Sequence, residues 1–125
     1  MVWEILLYSG SFILILWGVA HIFAFRAVLF GFEDIPPDNL RIFTMEWMGG
    51  GMTLIFVGAL AALVTFSGEA ATTTASLVYT ASGIMLLAHS GLTAVTGART
   101  PLLPLKVCPL ITGICAALFF SGALL

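Results

Sequence analysis

Four stretches of this chain are long and apolar enough to cross a bilayer, and little lies between them. They fall at about residues 5–25, with an extension toward 32, then 42–66, 71–96 and 106–125. A helix of about 20 mostly apolar residues spans the hydrocarbon core. In lipid the backbone polar groups must be satisfied inside the protein, and a helix satisfies them within one segment. The separators read "EDIPPDN", "SGEA" and "GARTPLLP", which carry the Pro, Gly and charged residues that end helices. Connections this short force successive helices to run antiparallel. The predicted fold is all-α: one integral-membrane domain over residues 1–125, four transmembrane helices in an up-down-up-down bundle. The third stretch is the weakest, because it opens "ATTTAS".

Composition supports a lipid solvent. Of the 125 residues, 61% are hydrophobic and 8% are charged, and mean hydropathy is +1.17. Soluble domains run at roughly 45–50% apolar and about 25% charged. Four basic and six acidic side chains cannot cover a water-facing surface of this size. The net charge of −2 and the absence of a basic cluster give nucleic acid no footprint. The N-terminus has no Lys/Arg-rich region, and the first apolar run exceeds a signal h-region, so it reads as a retained helix. Cys108 and Cys115 are two turns apart on one helix, about 10 Å, beyond disulfide reach.

Four spans put both termini on one side of the membrane. Arg26, Arg41, Arg99 and Lys106 all fall at the opposite side, hereafter the basic side. The positive-inside rule makes the basic side cytoplasmic. The expected location is a cell membrane, multi-pass, with both termini extracytoplasmic.

Helices in lipid associate through small residues. The fourth helix offers Gly113, Ala117 and Ser121, and the second offers Gly49, Gly50, Thr53 and Val57. Both faces are predicted to pack. Trp3 and Trp47 are placed near opposite interfaces, as in an aromatic belt. Trp17 falls within the first span.

Ionisable residues at membrane depth are costly and mark functional sites by default. Here they are His21, Glu46 and His89. Counting from Arg26, Arg41 and Arg99, their depths are roughly 7, 7 and 15 Å at 1.5 Å per residue, all in the cytoplasmic leaflet. Ser82, His89, Thr93 and Thr96 share one helical face. Glu46 shares a face with Gly49, Gly50 and Thr53. The expectation is one polar site made by His21, Glu46 and His89 from three helices. Each residue also has a plain structural explanation. A histidine bonds to a neighbouring hydroxyl or carbonyl, and Glu46 pairs with Arg41 or Arg26 at the headgroups.

The stretch from Gly18 to Gly51 reads "GVAHIF", "LFGFEDIPPDNLRIF" and "MEWMGGGMTLIFVGAL". It resembles the small DoxX-like membrane proteins, which show a Gly-x-x-His-Phe end to the first helix, an Ile-Pro-Pro loop, and a second helix opening with Glu and paired glycines. The matching positions are Gly18, His21 and Phe23, then Ile35, Pro36 and Pro37, then Glu46 with Gly49 to Gly51. The resemblance implies a four-helix membrane fold, and some members are tied to quinone-linked or other redox complexes.

Three function classes follow. The trio could act as a cofactor or redox site, with His21 and His89 across the core holding a haem, all three holding a metal ion, or the group receiving a quinone head. The protein could carry a small solute or protons, acting as a homo-oligomer. It could be a non-catalytic assembly factor or small subunit of a membrane complex. No motif names an enzymatic reaction. The lipid bilayer is the one partner that the sequence implies directly.

Overall fold

The computed structural model describes residues 2–124. Its elements are α1 (Val2–Phe23), α2 (Phe25–Leu29), α3 (Pro37–Phe66), α4 (Thr73–Val95), a 3-10 turn at Gly97–Arg99, and α5 (Leu103–Leu124). Four segments are long and apolar enough to cross a membrane: α1, α3, α4 with the turn after it, and α5. The extension of the first stretch is a separate short helix, α2, joined to α1 through Ala24.

Helix α3 begins five residues earlier than expected from hydropathy. Pro36 is extended (ψ 143°) and Pro37 opens the helix. Proline suits that position because its fixed φ is helical and its missing N–H has no helical partner there anyway. The 30-residue helix is roughly 45 Å long, longer than a hydrocarbon core of about 30 Å. Its first turn carries an exposed ion pair, Arg41 to Asp38 at 2.8 Å. The polar "ATTTAS" opening has a local role: the Thr72 hydroxyl accepts from the Ala75 N–H at 3.2 Å and caps α4. The loop before it turns at Gly68, whose φ of +76° suits a residue without a Cβ. Helix α5 starts at Leu103 rather than at Lys106, with Pro104 tolerated in the first turn. Its expected end at residue 125 lies outside the described residues.

The helices are arranged in the order α3, α1, α5, α4. Helix α1 packs on α3 and α5, and α5 packs on α4, while α3 and α4 barely touch despite their short loop. Between α1 and α3, glycines bring one backbone against the other. A Cβ on Gly51 would stand 2.5 Å from Ile22 Cγ1, and one on Gly18 would stand 2.9 Å from the Gly51 carbonyl oxygen. Gly58 meets Ile15 and the Ser11 carbonyl in the same way, each at 2.9 Å. The shared core contains Leu7, Leu14, Leu54, Ala61, Tyr79, Leu86, Cys115 and Phe119. The outward faces are also apolar, with Phe12, Leu16, Phe56, Leu63, Leu77, Ile84 and Leu110 exposed.

Two packing expectations shift by about one residue. On α3 the buried face is Trp47, Gly51, Leu54, Val57, Gly58, Ala61 and Thr65. Of the predicted set, Val57 is buried, Gly50 is half-buried, and Gly49 and Thr53 are exposed. On α5 the buried face is Cys108, Thr112, Cys115, Ala116, Phe119 and Gly122, and Ala117 points outward. The orientation of α5 is set by bulk. The Phe119 ring fills the space left by Gly10, and Leu7 fills the space left by Gly122.

Candidate functional site

The weak α3–α4 contact creates the main feature of the molecule. Near their connecting loop the two helices meet through the buried hydroxyls of Thr65 and Tyr79, 2.9 Å apart. Toward the basic side the wall between them becomes a cleft of about 480 Å³. Met45, Glu46, Gly49, Gly50, Thr53, Leu54 and Val57 line it from α3, and Met85, Leu86 and His89 line it from α4. Each helix contributes its ionisable residue at the end nearer the basic side. Farther from the basic side the lining is Leu54, Val57, Met85 and Leu86, with the Thr53 hydroxyl turned back to the Gly49 carbonyl.

Glu46 and His89 therefore share one cleft, as their helical positions suggest. Glu46 is exposed on the α3 wall, and among the described residues it has no ion-pair partner. Its expected pairing with Arg41 or Arg26 does not form, because Arg41 is held by Asp38 one turn away from the cleft. Gly49 has nothing within 4 Å of where a Cβ would be, so the α3 wall is open at that point.

His21 does not line this cleft. Its ring lies flat on Trp47, with centroids 4.3 Å apart and planes 10° from parallel. The Trp47 indole N–H donates to the His21 carbonyl at 2.6 Å. The imidazole Nε2 is 3.5 Å from the position of a Cβ on Gly50, so His21 sits behind the α3 backbone that walls the cleft. Its own pocket, about 260 Å³, is lined by Trp17, Ala20, Ala24, Trp47 and the first turn of α5. The three-residue metal centre is not assembled: among the described residues, no three His, Cys, Asp or Glu side chains gather closely enough to hold a metal ion. His21 is stacked on Trp47 rather than turned into the cleft beside Glu46, although it remains close enough to His89 for the two rings to interact electrostatically.

Sequence reasoning underrated three residues. Trp47 is not an interface-belt residue. It is buried and sits at the centre of an aromatic group with Phe25, Phe43 and His21. Trp17 points inward and donates its indole N–H to Cys108 Sγ at 3.4 Å. Cys108 is 1% exposed and its sulfur is 3.7 Å from His89 Nε2. Cys108 lies two residues after Lys106, so hydropathy alone places it at the edge of a span; only the observed α5 register turns it inward. Both cysteines are free.

Two of the remaining polar groups of the stripe on α4, Thr93 and Thr96, are satisfied locally. Thr93 donates to the carbonyls of His89 and Ser90, and Thr96 donates to that of Leu92. Ser90 donates to the Pro109 carbonyl of α5 at 2.6 Å. Comparison with protein families, with curated proteins and with solved structures finds no match for this chain.

Proposed function

We propose that this chain is a multi-pass protein of a cell membrane that receives a lipophilic molecule with a polar head through the seam between α3 and α4. The head sits between Glu46 and His89, and the tail lies along Leu54, Val57, Met85 and Leu86. One observation carries this reading: among the described residues, the weakly packed seam between α3 and α4 holds a cleft that is polar toward the basic side and apolar farther from it. An amphiphile entering sideways from the bilayer meets that polarity in the right order. An unpaired carboxylate and an imidazole at membrane depth are costly without a partner, and a bound head group supplies one.

A quinone fits the His89 wall, since a ring carbonyl accepts a hydrogen bond and its tail is apolar, and its quinol form also carries the hydroxyl donor that Glu46 needs. The likeness of residues 18–51 to DoxX-like proteins, some of them tied to quinone-linked complexes, points the same way. A haem held by two imidazoles has less support, because His21 is stacked on Trp47 outside the cleft.

The test uses decylubiquinone as the probe and purified protein in detergent. Wild type is expected to show saturable thermal stabilisation by the probe. Gly49→Leu fills the cleft from an open position and is expected to abolish the effect. Gly91 is equally open but lies on the outer side of α4, so Gly91→Leu is expected to leave it unchanged. Equal stabilisation of wild type and Gly49→Leu overturns the reading.

A further inference from the structure

Trp17, Cys108 and His89 come from three helices and stand in line behind the α4 wall of the cleft. An indole N–H can only donate. Its approach to Cys108 Sγ at 3.4 Å therefore casts the sulfur as an acceptor on that side. The thiol has one proton of its own to place, and at 1% exposure water does not take it. Two groups stand beside the sulfur. One is His89 Nε2 at 3.7 Å. The other is the Thr93 hydroxyl, whose proton is already shared between the carbonyls of His89 and Ser90. A bare imidazole nitrogen is the more basic acceptor of the two.

We infer that Cys108 donates its S–H to Nε2 of His89 and so fixes the neutral imidazole in the form protonated at Nδ1. In a neutral imidazole one nitrogen donates and the other accepts, and the partner of one decides the role of the other. With Nε2 occupied behind the wall, the nitrogen left for the cleft is Nδ1, and it is a donor. Glu46 on the facing wall, when ionised, only accepts. The two walls therefore ask for different things. The α4 wall selects a ligand atom that accepts, such as a carbonyl or ether oxygen, and the α3 wall selects one that donates. Cys108 is in this account a positioning residue, and Trp17 holds its sulfur in place. This assignment rests on the proposed cleft site for its meaning, but the tautomer itself can be read without any ligand.

The experiment is nitrogen NMR of the full chain in detergent, labelled with ¹⁵N in the imidazole rings. The chain has two histidines, and His89→Gln identifies which signals belong to His89. At a pH where His89 is neutral, its Nδ1 is expected at a pyrrole-type shift and its Nε2 at a pyridine-type shift. In Cys108→Val the populations are expected to move toward the Nε2-protonated form that free histidine favours, whereas Cys108→Ser, which can still donate, retains the wild-type pattern. A pyrrole-type Nε2 in wild type overturns the inference, and so does a Cys108→Val spectrum identical to wild type. The second arm adds decylubiquinone. Cys108→Val is expected to bind it about tenfold more weakly, the loss of one hydrogen bond. Failure of wild type to bind this probe counts against the quinone reading of the cleft and leaves the unliganded spectrum to decide the tautomer.

Discussion

Trp47 holds His21 twice: its indole lies flat against the imidazole at 4.3 Å, and its N–H donates to the His21 carbonyl at 2.6 Å. The first contact belongs to the side chain of His21 and the second to its backbone, so mutation separates them. Trp47→Phe keeps a ring and removes the donor. It is expected to cost about 1 kcal/mol, and the same amount in a His21→Ala background, because the carbonyl is still there. Trp47→Leu removes both contacts, and its cost is expected to fall by about 0.5–1.5 kcal/mol in the His21→Ala background. Thermal unfolding of wild type, the three single variants and the two double variants in detergent measures both. A Trp47→Phe cost that vanishes with His21→Ala would show that the bond depends on the imidazole.

The number and order of the four long apolar helices were legible in the sequence because hydropathy and breakers mark them. The placement of His21, Glu46 and His89 on three different helices was legible for the same reason. Rotation about each helix axis was not. Helices α3 and α5 are apolar on nearly all sides, and their orientation is decided by which bulky side chain meets which glycine, as Phe119 meets Gly10 and Ile22 meets Gly51. That rotation is what puts His21 behind Gly50 and turns Cys108 inward. With that packing face, Glu46 and His89 line one cleft and His21 lies against Trp47.

The glycine run at 49 to 51 contains positions with opposite demands. A Cβ at Gly51 would stand 2.5 Å from Ile22, whereas one at Gly49 meets nothing within 4 Å. Gly51→Ala is therefore expected to destabilise by roughly 1–3 kcal/mol through overpacking. Gly49→Ala should stay within about 0.5 kcal/mol of wild type. Melting temperatures compare them directly, and equal losses would mean that α1 and α3 are not in such close contact.

The same logic applies to two adjacent alanines on α5. Ala116 is 1% exposed in the core, and Ala117 is on the outer face. Ala116→Leu is expected to cost roughly 1–3 kcal/mol, while Ala117→Leu leaves both stability and oligomeric state as they were. A loss on Ala117→Leu would place a second protomer against that face.

The last prediction concerns orientation. Arg26, Arg41, Arg99 and Lys106 are all exposed and all at one end of the bundle, and an excess of Lys and Arg marks cytoplasmic loops. The loop between α2 and α3 is then inside the cell and the loop between α3 and α4 outside. Asp34 and Ser67 are exposed members of these two loops. The native thiols do not interfere, since Cys108 is 1% exposed and Cys115 is fully buried. On intact cells a membrane-impermeant maleimide is expected to label Ser67→Cys at once, and to label Asp34→Cys only after permeabilisation. The reverse pattern would turn the molecule over and move the polar end of the cleft to the outer leaflet. The cleft could then still take an amphiphile from the bilayer, but with its head toward the outside of the cell.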